Sequence, residues 1–221
     1  MSCILYSLRQ VRASFIVLLL SGCLISHSVS ANSPDTNAST NNDIISDMTI
    51  GDASAPVSII EYASFTCSHC ATFHNLVFDK VKSKYVDSGK AKFTFREVYF
   101  DKFGLAGSLI ARCEQNSEFF FKYSGQLFEQ QRAWMKTKNE AELLTYFQNI
   151  AKEQGMSEET FSSCLNNNIN ADQLLNWYQT NAERDEIKST PAFLINGKKY
   201  SNMSFEAMAE IIESELAKPA R

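Results

Sequence analysis

The stretch Glu61–Tyr85, EYASFTCSHCATFHNLVFDKVKSKY, constrains the fold more than any other part of the chain. It opens at the end of an apolar run, Val57-Ser58-Ile59-Ile60-Glu61-Tyr62, whose length and β-branched content predict a short buried strand. Cys67-Ser68-His69-Cys70 comes next. Cys70, His74, Val77, Val81 and Tyr85 then recur at spacings of four, three, four and four, which is one face of a helix. Thr66 stands where an N-cap hydroxyl would accept a free N–H of the first turn. Two thiols are thus expected at the positive end of a helix, directly after a strand.

That position changes what a thiol can do. Only the thiolate attacks disulfides, and an ordinary cysteine is mostly protonated at neutral pH. At a helix N-terminus the unpaired N–H groups and the macrodipole stabilise the anion. His69, between the two sulfurs, is expected to add a hydrogen bond or a positive charge. These effects favour the reduced pair over its disulfide and predict an oxidising site. Cys67 is expected to be the attacking, partly exposed thiol, and Cys70, on the buried stripe, the resolving one. Two other readings compete. The pair could be half of a zinc site with His69 and His74 as further ligands, or a structural bridge. A structural zinc module brings a second ligand pair on a separate element, yet His27 is the only other histidine. A bridge closing so short a loop adds little stability.

The chain starts MSCILYSLRQVRASFIVLLLSGCLISHSVSA, with Arg9 and Arg12 ahead of the apolar run Phe15 to Leu20. This reads as a bacterial-style export signal, too short for a spanning helix. Two cleavage sites stay open. Val29-Ser30-Ala31 would end a signal over residues 1–31. Leu20-Ser21-Gly22-Cys23 has the form of a lipobox, which would remove 1–22 and leave Cys23 as a lipid-bearing N-terminus. Export places the mature chain in an oxidising compartment, the bacterial periplasm, where cysteine pairs persist. Cleavage after Ala31 leaves Cys67, Cys70, Cys113 and Cys164, which allow three connectivities. Losing Arg9 and Arg12 takes the 21 basic residues to 19 against 25 acidic ones. No basic run interleaves with aromatics, so no nucleic-acid partner is expected.

Residues 32–47 read as a flexible linker, because NSPDTNASTNND is small, polar and without apolar period. After the Cys67 helix, Asp87-Ser88-Gly89-Lys90 makes a turn and Lys92 to Val98 alternates like a strand, completing a βαβ unit with a parallel pair. From about Leu105 to Ile187 the pattern is helical. Asn139 and Ser157 are placed as caps, Met156 and Phe161 as a hydrophobic staple, and Asn170 to Glu186 as a further helix. Cys113 and Cys164 are expected inside these helices. Ala192 to Ile195 is a buried strand, Asn196-Gly197 a type I′ turn and Lys198 to Tyr200 the return strand, before an amphipathic helix from Ser204 to Leu216. Pro191, at the strand entrance, lacks an N–H, so this strand is expected to be an open edge.

The order βα-β, helical insert, β-βα with Cys-x-x-Cys at the first helix resembles the thioredoxin fold of DsbA-like thiol:disulfide oxidoreductases. Their hallmark is an inserted helical domain. Several motifs carry the resemblance together: Glu61 six residues before Cys67, Cys67-Ser68-His69-Cys70, Arg96-Glu97, Ala111-Arg112-Cys113, and Thr190-Pro191 before an apolar strand and Asn-Gly turn. Arg-Glu and the Cys113/Cys164 pair look like the alphaproteobacterial branch. The resemblance implies an α/β thioredoxin-like domain from 48–102 and 188–221, a central mixed sheet flanked by helices, with an all-helical insert over 103–187. It implies that Cys67 is the nucleophile, Cys70 the resolving thiol, His69 the stabiliser of the thiolate and Glu61 a buried acid aiding proton transfer at Cys70. It further implies a cis Pro191 opposite the site, substrate contact through Thr190, and a structural disulfide between Cys113 and Cys164. Beyond the redox-active Cys67–Cys70 disulfide no cofactor or metal is implied. The implied partners are reduced exported proteins and a DsbB-like membrane reoxidant, with a monomer expected. An isomerase or reductase is the nearest alternative. Two positions depart from the family pattern: Ser68 replaces a common proline, and Val98-Tyr99 a typical Phe-Pro.

Overall fold

Val57–Ala63 forms the central strand, β2, as the apolar run predicts; Val57, Ile59, Tyr62 and Ala63 are fully buried. The computed structural model describes residues 45–219. The expected signal over 1–31, Cys23 and most of the linker lie outside the described residues. Ala91–Glu97, β3, runs parallel to β2, from Val57 opposite Ala91 to Ala63 opposite Glu97. Ala192–Ile195, β4, lies antiparallel on the other side of β2, and Lys198–Ser201, β5, follows through a turn with Asn196 and Gly197 at φ 46° and 82°. Both positive angles suit the type I′ geometry that Asn-Gly favours.

Two expectations need correction here. Met48–Ile50 forms a short strand, β1, antiparallel to β3, so the sheet order is β1-β3-β2-β4-β5. Strand β4 is therefore no edge: from Ala192 onward β2 and β5 pair with it on both sides. The end of the linker is also held in place. Asp47 takes two hydrogen bonds from Arg96, each 2.8 Å, and Ser46 O accepts one from Arg112 at 2.8 Å.

Helix α1 starts as Ser68–Phe73 and continues through a π-helical segment His74–Phe78, an α-helical turn Asp79–Val81 and a second π-helical segment Lys82–Val86. Its buried stripe includes Cys70, His74, Val81 and Tyr85. It serves as the crossover between the parallel strands β2 and β3. Six further helices lie between β3 and β4: α2 Lys102–Ala111, α3 Ser117–Glu129, α4 Gln131–Trp134, α5 Glu140–Glu153, α6 Glu158–Leu165 and α7 Asn168–Arg184. Helix α8, Phe205–Leu216, closes the chain. Asn139 and Ser157 cap α5 and α6, accepting from Glu142 N at 2.9 Å and Thr160 N at 3.1 Å. Helix α7 begins two residues earlier than Asn170 because Asn167 caps it.

The insert and the sheet share one aromatic core. Phe65 of the β2–α1 loop stacks on Phe95 of β3 at 5.7 Å and lies 5.3 Å from Phe128 of α3. Each such ring contributes roughly 2–3 kcal/mol by leaving water. Helix α2 reaches this cluster through Gly107, where a Cβ would stand 3.0 Å from Phe65 Cδ2. A second tie is ionic. Arg112, just past α2, donates to both carboxylate oxygens of Glu97 at 2.5 and 2.6 Å, with both side chains under 5% exposed. Cys113 and Cys164 are disulfide-bonded, Cα to Cα 5.7 Å, joining the turn after α2 to α6. Cys113 therefore sits beyond the helix that was expected to contain it, since α2 stops at Ala111.

Candidate dithiol active site

The β2–α1 loop delivers both cysteines to the start of α1. Thr66 does not cap this helix. The first helical residue is Ser68, so the capping place falls to Cys67, whose sulfur accepts from Cys70 N at 3.3 Å. Thr66 Oγ1 instead pairs with Ser64 Oγ at 3.1 Å. The sulfur is thus itself the group that takes up a free helix N–H.

Cys67 is half-buried and Cys70 fully buried, and neither is in a disulfide here. Their acidities are pushed apart. The hydrogen bond from the Cys70 thiol, helped by the Thr190 side chain and the backbone N–H groups of Cys70 and His69, outweighs burial and holds Cys67 down at about 6, against an ordinary 9.0. Burial, the hydrogen bond to Cys67 and the negative charge of Glu61 push Cys70 far up. His69 contributes here through its backbone; its imidazole is exposed.

Glu61 is wholly buried in β2, and its Oε2 lies 2.8 Å from His74 Nε2. Oε1 has no hydrogen-bond partner. The His74 ring stacks on Phe128 at 4.2 Å and leans on Phe78 at 4.9 Å. The zinc reading would need His74 beside the thiols as a ligand, yet its Nε2 is taken by Glu61. Among the described residues no group of three or more His, Cys, Asp or Glu is placed to hold a metal ion.

Two further segments complete the site. Thr190–Pro191 is cis, and Thr190 O lies 3.5 Å from Cys67 Sγ, which donates to it as the thiol. Gln131, at the start of α4, donates through Nε2 to Phe65 O at 2.8 Å and Cys67 O at 3.0 Å. Sequence reasoning passed over Gln131, for a glutamine in a short helix carries no signal. The His74 pairing had one: a titratable residue on an apolar stripe, near a carboxylate in a buried strand.

The sheet order explains why these parts meet. Strands β2 and β4 are neighbours and antiparallel, so the residue after one and the residues before the other share one end of the sheet. A dithiol at a helix start, faced by the loop entering the neighbouring strand, is how thioredoxin-fold proteins are built. The chain belongs to the thioredoxin family, in its DsbA-like branch: the family model described as Thioredoxin matches residues 43–214. Its structure superposes on alpha-DsbA1 of Wolbachia pipientis with a TM-score of 0.70 and 30% identity, over 76% of this chain and 89% of that one. It shares its fold with oxidised BdbD of Bacillus subtilis, at TM-score 0.69, 24% identity and coverage of 78% and 94%. A Rickettsia typhi protein that carries the name protein-disulfide oxidoreductase is 30% identical over 170 residues, 77% of this chain. The chain spans 62% of that relative's length. Disulfide bond formation protein D of Bacillus subtilis is 26% identical, covering 76% of each chain.

Proposed function

We propose that this protein is an exported thiol:disulfide oxidoreductase that introduces disulfides into folding proteins through Cys67-Ser68-His69-Cys70. The observation that carries the reading is the opposed acidity of the two sulfurs, Cys67 held at about 6 and Cys70 far above the ordinary thiol range. A thiolate this stable is a good leaving group and a weak base, so the reduced state is favoured and the disulfide is a strong oxidant.

The cycle follows from that asymmetry. A substrate thiolate attacks Cys67 of the Cys67–Cys70 disulfide, and Cys70 leaves with the electron pair and takes up a proton. A second substrate thiolate then attacks the substrate sulfur of the mixed disulfide and expels Cys67 as its stable thiolate. The substrate gains a disulfide, and the enzyme is left reduced. Thr190 O, against Cys67, offers the incoming backbone an acceptor, as in strand addition. Reoxidation needs an acceptor of two electrons, for which a DsbB-like membrane protein is the proposed partner. Periplasmic residence rests on the signal over 1–31, or on lipidation of Cys23. No helix among the described residues is long and apolar enough to cross a membrane.

Equilibration of the Cys67–Cys70 pair with glutathione buffers tests the proposal. An oxidase should show a potential well above the thioredoxin range, near −120 rather than about −270 mV. A potential near the lower figure, with turnover in insulin reduction, would make it a reductase. Efficient rearrangement of scrambled disulfides would favour the isomerase alternative.

A further inference from the structure

The proposed chemistry makes a demand at Cys70 that Cys67 does not share. Cys70 must gain a proton when it leaves and lose one when it attacks, yet it is fully buried. Glu61 is fully buried too, and one of its carboxylate oxygens is without a partner. Its other oxygen meets His74 at 2.8 Å. His74 in turn lines a groove of about 920 Å³ between α1, α3 and the end of α5, open to solvent and with no Thr190 in its lining. The π-helical segment of α1 begins at His74 itself, and such interruptions of α-helical bonding recur at functional sites.

We propose that His74 is the proton outlet of Cys70: the Glu61–His74 pair exchanges one proton with the buried thiol and passes it to solvent in this groove. In the resolving step Cys70 attacks Cys67 in a mixed disulfide. The Cys67–Cys70 bond forms, the external S–S bond breaks, and the departing thiolate carries off the electron pair. The Cys70 proton goes to Glu61 on its unpartnered side, and the pair releases a proton through His74. When Cys70 leaves instead, the same route runs inward. His74 acts through Glu61 and is a relay rather than a catalytic residue. Glu61 from β2 faces it directly, and the charged groups that line the same groove are Asp79 and Lys82 from α1, Lys122 and Glu129 from α3, and Glu153 from α5. The inference rests on the dithiol reading of the site, but not on the direction in which the enzyme works.

The test follows glutathione release from a preformed Cys67–glutathione mixed disulfide, across pH, in the full chain. His74→Gln keeps a hydrogen-bond donor toward Glu61 but cannot take up and release a proton. Release at pH 7 should fall about a hundredfold, the low end of what a positioned proton-transfer group contributes, and should depend more steeply on hydroxide. In His74→Ala, added imidazole should enter the groove and restore release. Iodoacetamide alkylation of Cys67 in the reduced protein should stay within about twofold of wild type, since it reads only that thiolate. Release at the wild-type rate in both variants would overturn the proposal. So would a fall that imidazole leaves uncorrected, or one matched by an equal fall in alkylation, which would return His74 to a packing role. The assay needs no substrate protein and no reoxidant, so it stands apart from the potential that decides the oxidase reading.

Discussion

Gln131 and Cys67 belong to different parts of the fold, yet the Gln131 side chain donates to Cys67 O at 3.0 Å and to Phe65 O at 2.8 Å. The helical insert thereby grips the loop that presents the Cys67 sulfur. Gln131 is almost fully buried, so the amide and both carbonyls meet away from water. Replacing it with Leu would take the donor from these buried acceptors. A loss of about 1–3 kcal/mol is expected, read by urea denaturation of the reduced protein. A change under 0.5 kcal/mol would mean the loop satisfies its carbonyls without the insert.

The Cys67 thiolate should titrate with a midpoint near 6, followed by its ultraviolet absorbance. Because this acidity is depressed from 9.0, the linked stability of the reduced protein runs in one direction. It is fully present above about pH 9, falls as pH drops toward 6, and is gone below that. Denaturation midpoints of the reduced form at pH 5 and pH 8 should therefore differ, with pH 8 higher, while those of a Cys67→Ser variant should not share that rise.

His69→Ala removes the imidazole but leaves the backbone N–H groups of His69 and Cys70 aimed at the sulfur. Any rise in the Cys67 midpoint reads what the exposed side chain adds, and the remaining backbone N–H groups should keep the midpoint below the ordinary 9.0. A midpoint at 9 would assign the whole effect to the side chain.

Glu97 and Arg112 form a buried, two-pronged ion pair, and removing one partner strands the other's charge. Arg112→Ala should cost about 3–5 kcal/mol, and a double replacement by apolar residues less than either single change. Thermal unfolding of the three variants checks the ordering; additive losses would contradict it.

Cys113 and Cys164 close a loop with a sequence separation of 51. Chain-entropy arithmetic caps the contribution of such a bridge at about 4 kcal/mol. Replacing both with Ser should lower thermal stability by up to that amount and leave glutathione exchange at Cys67 largely intact. Lost exchange with stability unchanged would give the bridge a redox role.

What was legible in the chain was what local chemistry writes there. Asn196-Gly197 announces its turn, Asn139 and Ser157 their helix starts, and the run from Val57 its strand. Thr66 misled by one position, because Thr and Cys both stand just before the helix and only the backbone decides which residue caps it. Strand β1 was passed over because Met48–Ile50 is three residues long and is held by β3, more than forty residues away. The same distance problem hid Gln131. Glu61 and His74 were each noticed, but their bond joins a strand to a helix face across thirteen positions, and periodicity describes one element at a time.

Cys67 closes the first turn of the helix that activates it, and the two duties compete. The Cys70 N–H is drawn to the sulfur most strongly while that sulfur carries charge. When Cys67 joins another sulfur, the charge goes and that bond weakens. Amide hydrogen exchange at Cys70 should then quicken in a mixed disulfide and slow again when the thiolate returns. The opening turn of α1 thus keeps a readable record of the chemistry in progress, visible at a backbone amide that takes no part in the bond exchange.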